Sequence, residues 1–295
     1  MNEKFKIEQE TDKEAELIAF FESRGYENVQ LVPHRGRNDI LHATKDGKKC
    51  FIKKFNPSPG ADRSVDAKIN NERACYENLP KDILIDVVEI NIDDDYITLE
   101  NVEFEEATEN EQYIQELADF ELSRLPSIDA GFLQEITWEN YERLFEKLKK
   151  LEEAGIIENA DAIIKIFEGK KDLIMNAKKI FAWQDFNRSN IKKVNGQIKI
   201  FDFEEPKQDN AMVDMATMSI DIRGNKKLST AYEAKIKVSE LYNEELFNLM
   251  TVRRAATVIY ARMYARRDEI ESDGIPQFVQ NNIDAFNETV DKLAA

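Results

Sequence analysis

Apolar residues recur at helical spacing between Lys13 and Arg24, where Leu17, Ile18, Phe20 and Phe21 share one side, and Gly25 comes next, where a helix should stop. The pattern then shortens. Val29 to Val32 predicts a strand, broken by Pro33-His-Arg-Gly36-Arg-Asn38, and Ile40 to Thr44 predicts a second. Lys45-Asp46-Gly47-Lys48 has the composition of a hairpin turn, leading into a third strand from Cys50 to Phe55 that the breakers Asn56-Pro-Ser-Pro-Gly60 close. Ala67 to Leu79 predicts a helix, and Ile83 to Asn91 and Tyr96 to Glu100 predict two further strands.

From Val102 the character changes. Glu103-Phe-Glu-Glu is an acidic linker, and most of the remaining chain is helical. One helix carries clear punctuation: Thr137 as N-cap, Glu139 in the first turn, Leu144, Leu148 and Leu151 on one face, and Gly155 at the end. A β-rich island interrupts the helices between Phe181 and Phe203, with Asn195-Gly196 as a hairpin signal before the strand-like Ile198 to Asp202. The pattern therefore predicts an α+β chain: a β-rich part over residues 1–101 and a helical part over residues 102–295.

Composition narrows the function classes. The 295 residues carry a formal net charge of −17, which argues against sequence-independent nucleic-acid binding and against adhesion to anionic membranes. The same field would draw in a cationic substrate, although acidity that serves solubility alone is the plainer reading. Two cysteines and two histidines are too few for a disulfide scaffold, a His-rich metal site or a Ser-His-Asp hydrolase. Neither a signal-peptide core nor an apolar run of membrane-spanning length is present, and the expected location is the cytoplasm.

The island holds the densest chemistry: Trp183-Gln-Asp185-Phe-Asn-Arg-Ser-Asn190-Ile, then the hairpin, then Ile200-Phe-Asp202-Phe-Glu204. Phosphoryl transfer needs a carboxylate to receive the acceptor's proton and oxygen ligands to hold Mg²⁺ on the nucleotide. A carboxylate and an amide on one loop, with a second carboxylate after the hairpin, can meet both needs. Asp185, Asn190 and Asp202 have that spacing, and isolated solvent carboxylates are the competing reading in so acidic a chain.

This segment resembles the catalytic segment of aminoglycoside phosphotransferases and choline kinases, written His-Gly-Asp-x-x-x-x-Asn with Ile-Asp-Phe-Asp. The resemblance implies a protein-kinase-like bilobal fold, with a nucleotide-binding N-terminal lobe and a helical C-terminal lobe. It implies Asp185 as catalytic base, Asn190 and Asp202 as Mg²⁺ ligands, and Asp214, in Asp209-Asn-Ala-Met-Val-Asp214, as the brace of the catalytic loop. Two positions depart: Trp183 stands at the family's supporting His, and Gln184 at its Gly. That departure leaves a nucleotide-binding pseudokinase or scaffold as the alternative to an active enzyme.

The first part of the chain resembles the family too. Arg35-Gly36-Arg37-Asn38 sits where a Gly-x-x-Asn-like turn would cover phosphates, which a residue without a Cβ permits. Phe51-Ile52-Lys53 resembles the third strand whose lysine holds the α- and β-phosphates, with Glu72 its expected helix partner and Glu77 the fallback. Glu100 and Val102 fall at the hinge that reads the adenine edge through its backbone. The donor would be ATP or GTP, and the acceptor a small-molecule hydroxyl, an amine-bearing one suiting the acidic C-terminal part. The basic run Arg253-Arg254 with Arg262, Arg266 and Arg267 is expected to form salt bridges rather than an anion site.

Overall fold

The computed structural model describes residues 3–33, 38–57, 64–102, 110–264 and 275–294, with side chains from residue 12 onward. The chain forms two compact units, Met1–Glu105 with Lys193–Glu204, and Glu106–Lys192 with Glu205–Ala295.

The first unit opens with helix α1 (Glu3–Glu22). It starts well before the predicted Lys13, because no Gly or Pro precedes Gly25 and the Glu- and Lys-rich stretch favours helix. Strands β1 (Glu27–Leu31), β2 (Asp39–Lys45), β3 (Lys48–Lys54), β4 (Val87–Asn91) and β5 (Tyr96–Glu100) form one antiparallel sheet in the order β1-β2-β3-β5-β4. Phe21 of α1 packs into a buried cluster with Tyr26, Val29, Leu41, Ala43, Cys50, Ile52 and Tyr96, and its ring meets the Tyr96 ring edge-on at 5.1 Å. This is why alternate residues of β2 and β3 are apolar: Leu41 and Ala43, Cys50 and Ile52 point to the same core.

Helix α2 (Val65–Asn78) comes after β3, capped by the Ser64 hydroxyl, which accepts from the Ala67 N–H at 3.2 Å. The strand predicted from Ile83 begins only at Val87. Lys81–Ile83 form a 3-10 turn, and Leu84 and Ile85 are buried outside the main ladder, Leu84 bridging Ile200. Apolar content alone does not separate a buried turn from a strand.

The second unit contains α3 (Glu111–Ser123), α4 (Trp138–Glu153), α5 (Ala160–Gly169), α6 (Lys171–Asn176), strand β6 (Ile180–Ala182), and, after the hairpin strands β7 (Ile191–Val194) and β8 (Gln197–Ile200), strand β9 (Lys207–Asp209). Helices α7 (Met212–Asp221), α8 (Lys226–Ile236), α9 (Glu244–Ile259) and α10 (Gln277–Ala294) complete it. In α4 the Thr137 N–H donates to the Asn140 side chain at 3.0 Å, and Leu144, Leu148 and Leu151 are buried together with Tyr141 and Phe145. Gly155 takes φ +69°, the left-handed value that ends the helix at the predicted place. Strand β6 pairs antiparallel with β9, Ile180 opposite Asp209, which joins the two ends of the segment between them. Among the described residues no helix is long and apolar enough to cross a membrane.

Candidate active site

The predicted residues divide between the units. Lys53, Glu72 and Asp202 belong to the β-rich one, and Asp185 and Asn190 to the helical one.

In the β-rich unit, strand pairing sets Lys53 between Ile40 of β2 and Ile97 of β5, and its side chain is buried. The Lys53 ammonium donates to Glu72 Oε2 at 2.8 Å and to Asp202 Oδ1 at 2.5 Å, and lies 3.1 Å from Glu204 Oε1. It also stands 4.8 Å above the Phe55 ring, as expected for residues sharing a strand face. Burial alone would lower the Lys53 pKa, but the three carboxylates raise it well above the usual value, so the ammonium stays charged. Burial pushes Glu72, on α2, up to about 7 against the pull of Lys53. Glu204 is held below the ordinary carboxylate range, its burial outweighed by Lys53 and Lys68. Asp202 is about one-third exposed and has φ +70°, a strained backbone for a residue with a side chain.

Asn38 is buried and donates to Glu204 at 2.6 Å, which ties it to the Lys53 cluster. Gly36 lies outside the described residues. Glu100 ends β5, and its N–H, like that of Asn101, is donated within the unit, to the Asp86 and Lys49 carbonyls. Val102 is next, half-buried.

In the helical unit, β6 delivers the chain to Trp183, which is fully buried with its ring edge-on to Phe186 at 6.1 Å. The Trp183 and Gln184 N–H groups donate to the two carboxylate oxygens of Asp214, at 2.8 and 2.7 Å. Asp214 sits in the first turn of α7, and burial pushes its pKa up to about 7 although both N–H groups pull it down. Asp185 accepts from the Asn190 amide at 2.7 Å on Oδ2 and from the Arg254 guanidinium at 2.7 Å on Oδ1. The loop is closed by Arg188, whose guanidinium pairs with Asp221 at 2.7 Å.

Sequence reasoning left Arg254 and Arg253 without a site role. Arg253, half-buried, pairs with the buried Asp209 at 2.6 Å and reaches the Tyr141 hydroxyl at 3.2 Å. Its expected salt bridge is therefore present, with Asp209 of β9. A basic pair on a late helix carries no local signal of its partner, since Arg253 and Asp209 meet only through the tertiary fold.

Among the described residues no group of three or more His, Cys, Asp and Glu side chains is arranged to hold a metal ion by itself. The donors named from the sequence are one amide oxygen and one carboxylate, both hard ligands. The Asn190 amide turns its nitrogen to Asp185, and its oxygen accepts from the Ser189 hydroxyl at 3.3 Å. Taken singly, each of the two is the kind of hard oxygen donor that Mg²⁺ takes beside water and phosphate oxygens, and neither is the thiolate or imidazole that zinc favours.

No protein-family model and no curated protein matches the chain. Solved structures do match in fold. The choline kinase LicA from Streptococcus pneumoniae aligns over 97% of this chain and 99% of its own, with a TM-score of 0.65 and 12% identity. A spectinomycin phosphotransferase solved with ADP and spectinomycin aligns over 95% and 97%, with a TM-score of 0.57 and 11% identity. A thermostable mutant of an aminoglycoside phosphotransferase aligns over 96% and 99%, with a TM-score of 0.65 and 10% identity. The chain thus has the protein-kinase-like α+β fold expected from its sequence, in the form that choline kinases and aminoglycoside phosphotransferases share.

Proposed function

We propose that this protein transfers the γ-phosphoryl group of Mg²⁺-bound ATP or GTP to a hydroxyl of a small molecule, an aminoglycoside, a choline-like amine or a sugar. The observation that carries the reading is the buried Lys53, which gathers Glu72 from 19 residues away and Asp202 from 149 residues away, the partners that phosphate-binding chemistry requires. One carboxylate would satisfy a structural salt bridge, whereas the Lys53 ammonium faces three, Glu72, Asp202 and Glu204. Of the three, Asp202 is partly exposed at a strained backbone position, which suits a ligand that is also needed elsewhere.

In this reading Lys53 binds the α- and β-phosphates while Glu72 keeps its ammonium in place. Asp185 accepts the proton of the acceptor hydroxyl as the new oxygen–phosphorus bond forms. The bond from the γ-phosphorus to the bridging oxygen breaks, and the nucleoside diphosphate departs with that electron pair. Asn190 and Asp202 would each offer Mg²⁺ an oxygen, and the ion would offset charge on the phosphate oxygens. The net charge of −17 supports an acceptor that carries a positive charge, and spectinomycin, bound in a compared phosphotransferase, belongs on a panel of acceptors.

The test is transfer of labelled phosphate from ATP and GTP to a panel of aminoglycosides, choline-like amines, sugars and nucleosides. Asp185→Asn should retain Mg²⁺-nucleotide binding and lose turnover by about 10²–10⁴-fold. Saturable nucleotide binding with no Asp185-dependent product from any acceptor would favour the pseudokinase reading instead.

A further inference from the structure

Gln184 poses a problem that its neighbours answer. It holds φ +66° at the position where the resembling motif has glycine, so it carries backbone strain that glycine would not. Its polar groups are all engaged. The N–H donates to Asp214 at 2.7 Å, and the side-chain amide donates to Asp209 at 3.3 Å and accepts from Arg253 at 3.3 Å. Its carbonyl accepts from Arg254 at 3.0 Å. The same Arg254 guanidinium donates its other terminal nitrogen to Asp185 Oδ1 at 2.7 Å. One planar fork therefore bridges the strained carbonyl and the carboxylate of the next residue.

Resting on the base assignment above, we infer that Arg254 is a positioning residue. It locks the Gln184 carbonyl and the Asp185 side chain together, and with Asn190 on the opposite carboxylate oxygen it fixes Asp185 in one rotamer. The neighbouring Arg253 seats the clamp by tying α9 to Asp209 and to the Gln184 side chain. A loop that lacks the supporting His and the permissive Gly is thus held from α9. The planar guanidinium matters: a lysine ammonium is a single point, and cannot present two coplanar N–H groups to a carbonyl and a carboxylate.

Asp185 and Arg254 are 43% and 25% exposed in their side chains, so replacing Arg254 leaves no buried charge behind and the chain should still fold. Full-length Arg254→Ala and Arg254→Lys proteins would be compared with wild type in phosphate transfer, in calorimetric binding of Mg²⁺-ATP, and in hydrogen exchange of residues 181–192. Arg254→Ala should lower kcat about 10²-fold, the size of effect that a misplaced catalytic group produces, with KM for nucleotide within about twofold and an unchanged melting temperature. Arg254→Lys should recover little, and added guanidinium ion should restore part of the turnover of Arg254→Ala and none of Asp185→Asn. Exchange across the loop should quicken in both variants.

An Arg254→Ala protein with full turnover beside an inactive Asp185→Asn protein would overturn the clamp and keep the base. Full turnover in Asp185→Asn would instead overturn the base assignment on which the clamp rests. For a protein that transfers phosphate to no acceptor, the exchange experiment decides: unchanged exchange over the loop in Arg254→Ala overturns the clamp.

Discussion

Arg253→Met should destabilise the protein severely, and adding Asp209→Asn should return much of the loss. Asp209 is wholly buried, and its Oδ2 accepts from Arg253 at 2.6 Å. Without Arg253 that oxygen keeps only the long contact to Gln184, while Oδ1 retains the Asn210 backbone and side-chain donors at 2.8 and 3.0 Å. A buried carboxylate stripped of its ion partner costs about 3–5 kcal/mol, against a total stability of about 5–15 kcal/mol. At roughly 2 °C per kcal/mol for a chain this large, the melting temperature should fall by on the order of 6–10 °C. Neutralising Asp209 in the same chain removes the uncompensated charge, so the double variant should lie closer to wild type than Arg253→Met does, with a coupling of about 2 kcal/mol or more. Differential scanning calorimetry or urea unfolding of the four proteins closes the cycle. Strict additivity, with the double variant as unstable as the sum of the singles, would refute the buried-pair argument.

Lys53→Met should weaken Mg²⁺-nucleotide binding by roughly 10–100-fold, the worth of charge-assisted hydrogen bonds to phosphate, and unchanged calorimetric affinity would remove Lys53 from the phosphate site. Asp214 and Glu72 are both pushed up to about 7, from unfolded values near 3.9 and 4.3. The folded chain therefore keeps protons that the unfolded chain has released, and their stabilisation falls as pH rises from about 4 to about 7. The stability of wild type relative to Asp214→Asn should fall by on the order of 1–4 kcal/mol over that window, and a pH-independent difference in urea unfolding would contradict the sign. Glu204 acts oppositely, its contribution present above its unfolded pKa and lost as pH falls through its lowered one. Gln184→Gly relieves about 1 kcal/mol of backbone strain but forfeits the contacts to Asp209 and Arg253, so Gln184→Ala, which keeps the strain and loses the contacts, should be the less stable of the two by chemical denaturation.

What could be read from the sequence was what local spacing controls. The hairpin at Asp46-Gly47, the N-cap at Thr137, the stop at Gly155 and the order of Asp185, Asn190 and Asp202 each depend on residues a few positions apart. Lys53 was legible for a related reason: its strand alternates, and the alternation set its face. The strand start at Ile83 was misplaced because an apolar run reads alike whether it pairs in a ladder or is buried in a turn, and α1 was begun too late because its first residues lack the apolar stripe.

The Arg253–Asp209 and Arg254–Asp185 pairs were not legible, for a different reason. Both join residues about 44 and 69 positions apart, through the crossing of α9 over the loop, and no sequence period encodes such a meeting. Yet the departures at Trp183 and Gln184 were visible, and they define what must be supplied. Where the resembling motif has histidine this chain has a buried indole, and where it has glycine this chain has glutamine at positive φ. The loop therefore needs new donors for its carbonyl and its carboxylate, and a cation whose donors lie in a fixed plane meets both demands at once. The acidic surroundings favour arginine here, since Asp209 and Asp185 each take an ion pair from α9. In this chain those donors come from α9, through Arg254 on the Gln184 carbonyl and on the Asp185 carboxylate.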